Sequence, residues 1–404
     1  MKESTSLPVG IKDYTTNNVK KIESVSSMVL DESELWGYKK ILTPIFEKID
    51  SLQIGSKQET LHKTIKFIDP INGDVLGLRS DVTPQIARYV GSNYNEESLP
   101  LRLSYVERVI RNEVKESKNK REIFQVGCEL IGSNQLESDL EIILLGSTIL
   151  SKLGFDKQIV TINSSLFVNF VFSKLPSIKD KIDLLFHKKD FDLIRKFTKD
   201  KNVSKEEKAF LKNYVLPIID NRKINTAKFP SRVKLGLKRI DSLVKFFRET
   251  NPNLTVISDL LDVKDFDYYS DITFDIAIPG INEIVLSGGR YNNLISKYGK
   301  DIPAIGFGIN ILPLLNKTKH KYLGIPIVVT QYDSLKNVGL PFEVREFFSS
   351  QGFVTIMSNS KSKYKGDFDL KIIIKKNGSL KLFDKKNKHL GTSKNLSELQ
   401  NEDL

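Results

Sequence analysis

The stretch Arg121–Ile131 reads REIFQVGCELI, and its alternation of side chains predicts a β-strand. Alternate positions share one face of a strand, and here that face carries Arg121, Ile123, Gln125, Gly127, Glu129 and Ile131. Polar groups on a central strand must pair with each other or with a ligand, because unpaired burial costs free energy. Two interpretations of Gln125 and Glu129 stay open: a ligand pocket, or a buried structural network with Arg111 and Arg121.

Segments around this strand predict a sheet with flanking helices. Alternation over Leu103–Arg111 predicts the partner strand of a hairpin, and the polar run Asn112–Lys120 predicts its loop. Apolar spacings of three and four over Thr15–Trp36 predict an amphipathic helix that ends at Gly37. We expect a strand over Tyr38–Phe46 that lies at a sheet edge or ends at Pro44, because proline cannot donate a ladder hydrogen bond.

Further along the chain, helical and strand patterns alternate. A capping-box pattern at Ser138 predicts the start of a helix over Leu140–Leu153. From about residue 174 to 250 the chain is lysine-rich and helical in pattern, which predicts a helical insert. A glycine pair before Arg290 predicts a turn into a helix over Arg290–Tyr298. The other predicted strands are Gln158–Ile162, Asp267–Ile278 and Glu283–Ser287.

The chain beyond about residue 319 predicts a separate small α/β domain, because strand and helix patterns alternate there. The segments are the strand GIPIVVT, the helix VGLPFEVREFFSSQG, the strand FVTIM and the strands Leu370–Ile374 and Leu380–Phe383. We therefore expect a core over residues 1–318, with its insert at about 174–250, and a C-terminal domain over 319–404.

The composition is that of a globular protein with excess lysine. Of 404 residues, 28% are charged and 40% hydrophobic, and 62 Lys+Arg against 50 Asp+Glu give a net charge of +12. Only 13 of these cations are arginine, and the lysines are spread along the chain, which favours a solvated surface over a phosphate-binding track. No apolar run approaches the roughly 20 residues of a membrane helix, and no signal core opens the chain, so we expect a cytoplasmic location.

Side chains that commonly carry catalysis or metals are sparse. The histidines, which are scattered beside lysines, are His62, His187, His320 and His389. The sequence contains no phosphate loop, dinucleotide loop, zinc-protease motif or nucleophile elbow. We expect no metal, no cofactor and no catalytic residue, with the histidines at the surface or in loops. For Cys128 we expect a small buried thiol rather than a nucleophile.

Five segments in a fixed order carry a resemblance to a known family. They are LPVGIKDY, with GYKKILTPIFE downstream; KFIDPINGDVLGLRSDVTPQIAR; YVERVIRNE, followed by REIFQVGCELIG; KDFDYYSDITF; and SGGRYNNLISKYGKDIPAIGFGI. The set resembles the histidyl-tRNA synthetase superfamily of class II synthetase folds over about Leu7–Pro313. The phrase RSDVTPQIAR is most similar to its branch of ATP phosphoribosyltransferase regulatory subunits. The resemblance implies an α+β fold, an antiparallel sheet flanked by helices, with a dimer interface over Val19–Glu47.

The resemblance also implies a pocket for free histidine on the sheet. The residues at the matching motif positions are Asp81, Thr83, Gln125, Arg111, Glu129, Tyr268, Tyr269 and Tyr291. The first three would take the ligand's ammonium, the arginine would face its carboxylate, the glutamate would reach the imidazole, and the tyrosines would wall the ring. A zwitterion needs opposite charges at its two ends, and charge-assisted hydrogen bonds are strong in a partly dry site.

Two departures from the synthetase pattern argue against aminoacylation. Similar synthetases hold the phosphates of ATP with arginines, one of them in an R-G-L-D-Y-Y segment that here reads KDFDYY, with Lys264 and Asp265 at its start. The third motif reads GFGINILPL, and Pro313 stands where an arginine is expected. Proline supplies neither charge nor backbone donor, and loss of one preorganised donor costs on the order of a hundredfold in rate. Lys264 keeps a charge but not the planar fork of arginine.

The resemblance therefore predicts a non-catalytic regulatory subunit that binds histidine and assembles with a short-form ATP phosphoribosyltransferase catalytic subunit. That partner would condense ATP with phosphoribosyl pyrophosphate, the first step of histidine synthesis. Two alternatives stay open: an active histidine–tRNA ligase, favoured by the net charge and the C-terminal unit, and an RNA-binding pseudosynthetase. Binding of tRNA is disfavoured because the excess lysines are spread along the chain, whereas the two arginine losses fall at positions that the aminoacylation reaction needs.

Overall fold

The computed structural model of the chain describes residues 6–54, 64–93, 99–112, 121–264, 266–319, 326–332, 339–359 and 368–400. The chain divides into two units, Met1–Lys321 and Tyr322–Leu404. The first unit contains an eight-stranded and a three-stranded sheet, and the second a five-stranded sheet. Among the described helices, none combines the length and apolar character needed to cross a membrane.

The strands of the first unit are β1 (Lys39–Lys40), β2 (Phe46–Lys48), β3 (Lys66–Ile68), β4 (Val75–Leu78), β5 (Leu101–Ile110), β6 (Glu122–Ile131), β7 (Gln158–Ser164), β8 (Leu254–Ser258), β9 (Ile272–Ala277), β10 (Leu286–Arg290) and β11 (Ala304–Asn310). Its α-helices are α1 (Thr16–Leu35), α2 (Ile49–Ile54), α3 (Thr83–Asn93), α4 (Leu136–Lys152), α5 (Ser165–Ser173), α6 (Lys179–Lys188), α7 (Phe191–Phe197), α8 (Lys205–Phe210), α9 (Leu216–Ile219) and α10 (Ser231–Thr250). The described residues of this unit also form a π-helical stretch, Leu211–Val215, and a 3-10 helix, Ile295–Tyr298.

The large sheet has the strand order β1-β5-β6-β11-β10-β9-β7-β8. Only the two outer pairs, β1 with β5 and β7 with β8, are parallel, and every inner pair is antiparallel. The predicted antiparallel sheet with flanking helices is confirmed, as is the hairpin, which is formed by β5 and β6. Its predicted loop lies outside the described residues from position 113 to 120. Strand β6 therefore runs through the interior of the sheet, between β5 and β11.

Helices cover one face of the large sheet. Buried apolar residues of α1, α4 and α10, among them Val25, Ile143 and Phe247, pack against those of the central strands. Cys128 of β6 is fully buried in this layer, with its Sγ 3.2 Å from the Oγ of Ser33. Burial raises the pKa of the thiol to about 12, so the prediction of a small buried thiol is confirmed.

The opposite face of the sheet is only partly covered. Helix α3 packs there through Ile86 and Val90, beside Tyr105 of β5 and Tyr291 after β10. Beyond the sheet, α5 to α9 surround a separate apolar core that includes Phe167, Phe186 and Leu211. The described chain is therefore helical over most of the range from 174 to 250. Both described histidines, His187 and His389, are exposed, whereas His62 and His320 lie outside the described residues.

The predicted capping box is wrong. Helix α4 begins at Leu136, and Ser138 lies inside its first turn, where its Oγ donates to the Oγ of Ser133 at 2.6 Å. Glu141 instead accepts two hydrogen bonds from Arg102, both at 2.7 Å, and one from Tyr38 at 2.9 Å. Glu141 therefore bonds to residues distant in the chain, Arg102 of β5 and Tyr38 before β1, rather than to the start of its own helix.

The predicted edge strand over Tyr38–Phe46 is interrupted. Its ends belong to different sheets, β1 at the edge of the large one and β2 in the small one. Between them the chain bends around Arg79, whose guanidinium donates to the carbonyls of Thr43 at 3.0 Å and Pro44 at 3.4 Å. The guanidinium also pairs with Glu107 at 2.5 Å. This buried arginine occupies the backbone acceptors that a continuous strand would use.

The predicted helix over Arg290–Tyr298 is wrong over its first part, and only Ile295–Tyr298 is helical, as a 3-10 helix. Gly288 and Gly289 lie inside β10, where an added Cβ would come within 2.4 Å of the Phe274 ring and 2.7 Å of the Ile272 carbonyl oxygen. Close packing, rather than a turn, explains this glycine pair. Arg290 ends the strand fully buried, with its Nε 2.6 Å from Asp139 Oδ1. Likewise, the strand predicted from Asp267 begins only at Ile272.

The second unit consists of β12 (Ile327–Tyr332), α11 (Gly339–Ser350), β13 (Val354–Asn359), β14 (Leu370–Ile374), β15 (Leu380–Asp384), β16 (His389–Ser393) and α12 (Leu396–Gln400). Its strand order is β13-β12-β14-β15-β16, with the first three strands parallel. The predicted strands and helix of this unit are present. Strand β16 and helix α12 were not predicted, because their polar sequences lack a clear apolar period.

Candidate ligand-binding site

One cavity of about 360 Å³ lies over the centre of the large sheet, on its partly covered face. The sequence-predicted residues that line it are Asp81, Thr83, Arg111, Gln125, Glu129, Tyr268, Tyr269 and Tyr291. Strand β6 contributes the amide and the glutamate, and the turn entering α3 contributes the aspartate and threonine. The structure thus brings all eight predicted positions to one place, although they are separated by more than 200 residues of chain.

Glu129 lies at the base of the cavity and is only 1% exposed. One carboxylate oxygen accepts the Thr83 hydroxyl at 2.8 Å, and the other accepts the Tyr291 hydroxyl at 2.7 Å. Burial raises the pKa of Glu129 to about 8, opposed by these two hydrogen bonds and reinforced by the charge of Asp81. The group is therefore poised to exchange a proton, or to meet a cation, near neutral pH.

Two glycines of β11 make room for these polar side chains. Gly306 is paired with Glu129, and an added Cβ would come within 1.6 Å of its Oε2. A Cβ at Gly308 would lie 2.2 Å from the Nε2 of Gln125. Glycine at these two positions of β11 therefore leaves the space that the side chains of Glu129 and Gln125 occupy. The sequence signal was the run GFG at 306–308.

Asp81 and Gln125 form a second polar group in the cavity. Asp81 Oδ2 accepts the Tyr268 hydroxyl at 2.6 Å, and its Oδ1 accepts the backbone N–H of Val82 at 2.9 Å. The Nε2 of Gln125 donates to Asp81 Oδ1 at 3.4 Å and to the Tyr105 hydroxyl at 3.1 Å. Its Oε1 is buried without a hydrogen-bond partner among the described residues.

Arg111 supplies a positive charge to the lining. Its Nε donates to the carbonyl of Ser80 at 3.2 Å, and its Cζ lies 5.0 Å from the centroid of the Phe266 ring. Arg121 instead donates to the Asn112 side chain at 2.8 Å. Neither arginine is hydrogen-bonded to Gln125 or Glu129 in the part of the chain that the structure describes, which disfavours the buried arginine network.

Aromatic rings form one wall. The Tyr268 ring centroid lies 4.8 Å from that of Tyr269, 6.2 Å from that of Tyr291 and 5.3 Å from that of Phe266. The hydroxyls of Tyr268 and Tyr291 donate to Asp81 and Glu129, so these two rings are held in fixed positions. Phe266 and Tyr105 were not singled out from the sequence, because their roles depend on neighbours far away in the chain.

The remaining part of the cavity is acidic. Its side chains include Asp262, Lys264, Asp275, Glu283 and Asn310. The Nζ of Lys264 lies 2.8 Å from a carboxylate oxygen of Asp262 and 2.5 Å from one of Asp275. Burial lowers the pKa of Lys264, but these two carboxylates outweigh that effect and raise it. The one lysine of the lining is therefore already neutralised by carboxylates of the chain.

Pro313 does not line this cavity. It lies in the turn after β11, where Leu314 N–H donates to the Ile311 carbonyl at 3.0 Å. Asp265 lies outside the described residues. Within the described ranges, no three His, Cys, Asp or Glu side chains converge as metal ligands would.

The fold and cavity define a protein of the class II synthetase-like type. A crystal structure of an ATP phosphoribosyltransferase regulatory subunit/histidyl-tRNA synthetase from Bacillus halodurans superposes with a TM-score of 0.74, at 24% identity over 89% of this chain and 94% of that one. The apo histidyl-tRNA synthetase of S. aureus gives a TM-score of 0.68 at 17% identity, over 98% of both chains. These likenesses establish the fold.

Sequence comparisons establish the family. The family model described as Histidyl-tRNA synthetase matches residues 10–314. The ATP phosphoribosyltransferase regulatory subunit of Geobacter metallireducens is 32% identical over 319 residues, covering 77% of this chain and 73% of that protein. The protein of the same name from Halothermothrix orenii is 32% identical over 323 residues, covering 77% and 76%. The chain therefore belongs to the histidyl-tRNA synthetase family, as its motifs predicted, alongside relatives named as regulatory subunits.

The raised pKa of Glu129 predicts a specific pH dependence of stability. Its folded pKa of about 8 exceeds its ordinary value of 4.5, so the folded state binds this proton more tightly. The resulting stabilisation is full below about pH 4.5 and is lost as the pH rises through about 8, by up to about 1.4 kcal/mol per pH unit. Glu129→Gln has no titrating proton at this position. Between about pH 5 and 8 the unfolding free energy of the wild type should therefore fall relative to that of the variant as the pH rises. Urea unfolding at intervals of one pH unit measures the difference in unfolding free energy, and a difference that does not change with pH would contradict the raised pKa of Glu129.

Proposed function

We propose that this chain is a non-catalytic regulatory subunit of ATP phosphoribosyltransferase and that its cavity binds free histidine. The observation that carries the proposal is the convergence of Asp81, Gln125, Glu129 and Arg111 on one cavity. The curated relatives are named as regulatory subunits of ATP phosphoribosyltransferase, which supports a role for the cavity in such an assembly. The proposed partner is a short-form catalytic subunit, which condenses ATP with phosphoribosyl pyrophosphate at the start of histidine synthesis.

The charges of the cavity suit an amino-acid zwitterion with a basic ring. Asp81 and the unpartnered oxygen of Gln125 offer acceptors for an ammonium group, and Arg111 offers a guanidinium for a carboxylate. Glu129 is buried between hydroxyl donors and aromatic faces, where it can bond to an imidazole N–H. Thr83 already donates its proton to Glu129, so its hydroxyl would meet the ammonium as an acceptor.

The same cavity is poorly suited to a nucleoside triphosphate such as ATP. Lys264 is held between Asp262 and Asp275, and a further carboxylate, Glu283, lines that end. Arg111 is then the one lining cation, within the described residues, that is not paired with a carboxylate of the chain. Phosphoryl chemistry needs several cations around the developing charge, and Pro313 can add none.

Regulation follows from linkage between the cavity and the assembly. Histidine can inhibit the catalytic partner only if it binds the inactive arrangement more tightly than the active one. A tenfold difference in affinity corresponds to about 1.4 kcal/mol of bias. The chain would therefore do two things: hold the catalytic subunit in an active assembly, and shift that assembly towards inactivity when histidine is abundant.

Self-association through Val19–Glu47 is part of this proposal. Three apolar side chains of that region are at least half exposed in the isolated chain: Leu35, Leu42 and Ile45. Exposed large apolar side chains gain free energy when a protein interface removes them from water. A homodimer would cover them and present two cavities to the catalytic subunits. We propose that this assembly is cytoplasmic and needs no metal or cofactor.

Calorimetric titration with histidine tests the ligand. The wild-type chain should bind it, and Glu129→Ala should bind about 2–5 kcal/mol more weakly, because truncation leaves the ligand's ring without its buried partner. Glu137→Ala is the matched control, since Glu137 is an exposed carboxylate of α4 outside the cavity. Absence of heat from the wild-type protein, checked at several temperatures, would rule out the histidine sensor.

An active histidine–tRNA ligase is the alternative with structural support, because the S. aureus synthetase matches 98% of this chain, including the second unit. ATP–pyrophosphate exchange in the presence of histidine separates the two functions. We expect no exchange above background, since Lys264 is neutralised and Pro313 stands where the synthetase pattern is expected to have an arginine. Histidine-dependent exchange would establish the ligase instead, and tRNA retained during purification at moderate salt would favour an RNA-binding pseudosynthetase.

A further inference from the structure

The side-chain amide of Gln125 has an uneven set of partners. Both of its hydrogen-bond partners, the Tyr105 hydroxyl and Asp81 Oδ1, lie on the Nε2 side. The Oε1 atom is buried and has no hydrogen-bond partner among the described residues. A buried acceptor without a donor is uncommon in folded proteins, because it forfeits its hydrogen bond to water. Gln125 lines the cavity, so a bound ligand could supply the missing donor.

The orientation of this amide follows from chemistry. A carboxylate oxygen can only accept, so the amide atom beside Asp81 Oδ1 must be the nitrogen. The Tyr105 oxygen contacts the same amide atom, at 3.1 Å, and therefore accepts its second N–H. With both N–H groups engaged, the amide cannot flip without placing its oxygen against the carboxylate. The carbonyl oxygen is consequently the atom that remains for another donor.

Tyr105 reaches Gln125 across the backbone of β6. Its partner in the register of β5 and β6 is Gly127, and a Cβ at that glycine would lie 2.4 Å from the phenol oxygen. The ring is fully buried, and Tyr105 is not among the cavity residues. A glycine at 127 is therefore what allows the phenol of Tyr105 to lie over β6 and to reach the amide from the β5 side, on the same face of the sheet as the cavity.

We propose that Tyr105 is a positioning residue for amino-acid recognition: by accepting from the amide nitrogen of Gln125, it keeps the amide oxygen available for the α-ammonium of the ligand. This inference rests on the proposed function, since it assumes that the cavity binds an amino acid. It assigns to Tyr105 a role in distinguishing ligands that carry an α-amino group from those that lack one. Tyr105 would not touch the ligand itself.

The test compares two ligands on two proteins. Dissociation constants are measured for histidine and for 3-(imidazol-4-yl)propanoate, which lacks the α-amino group, on the wild-type chain and on Tyr105→Phe. Loss of one hydrogen bond predicts an affinity for histidine lower by about three- to tenfold. The affinity for the desamino ligand should change by less than about twofold, because its binding does not use the amide oxygen. Thermal unfolding checks that the variant folds.

Gln125→Met supplies a second, independent variant, because it keeps the length of the side chain and removes the amide. It should reduce the preference for histidine over the desamino ligand, and adding Tyr105→Phe to it should produce no further loss. Equal weakening of both ligands by Tyr105→Phe, or no weakening of either, would overturn the positioning role while leaving the histidine site intact. Failure of the wild-type chain to bind histidine would overturn both the inference and the proposed function.

Discussion

The buried carboxylate of Glu129 is the constraint on which the cavity depends. An acidic side chain on an interior strand requires space and hydrogen-bond donors. Gly306 provides the space, because any side chain there would overlap the carboxylate. The hydroxyls of Thr83 and Tyr291 provide the donors, from α3 and from the segment after β10. Burial away from water raises the pKa of this group to about 8.

Other parts of the fold serve to bring these groups together. The hairpin of β5 and β6 places Tyr105 beside Gln125 on the same face of the sheet. The buried pair of Arg290 with Asp139 fixes the end of β10 against α4, one residue before Tyr291. The loop before β9 carries Lys264, Tyr268 and Tyr269, and Lys264 ties this loop to β9 through Asp275. The sheet therefore acts as a rigid scaffold that holds one group of polar side chains on its partly covered face. Ligand-binding sites are typically built in this way, from a few precisely placed polar groups in a preformed cavity.

Sequence reasoning predicted the hairpin, the first helix, the alternation of the second unit and, through the family motifs, all eight positions around the cavity. It failed where tertiary partners override local patterns: Glu141 bonds to Arg102 instead of capping a helix, and Gly288 relieves a clash with Phe274 instead of forming a turn. The pairing of Lys264 with Asp275 and the support of Gln125 by Tyr105 could not be predicted either. Both depend on the register of strands that are distant in the chain.

The central claim is that histidine in this cavity controls a partner enzyme. The most direct measurement is the ATP phosphoribosyltransferase activity of a short-form catalytic subunit mixed with this chain, followed as histidine is added. The account predicts that activity requires the chain, falls with histidine for the wild type, and becomes at least about tenfold less sensitive with Glu129→Gln. Activity that is independent of the chain, or inhibition that Glu129→Gln leaves unchanged, would contradict it.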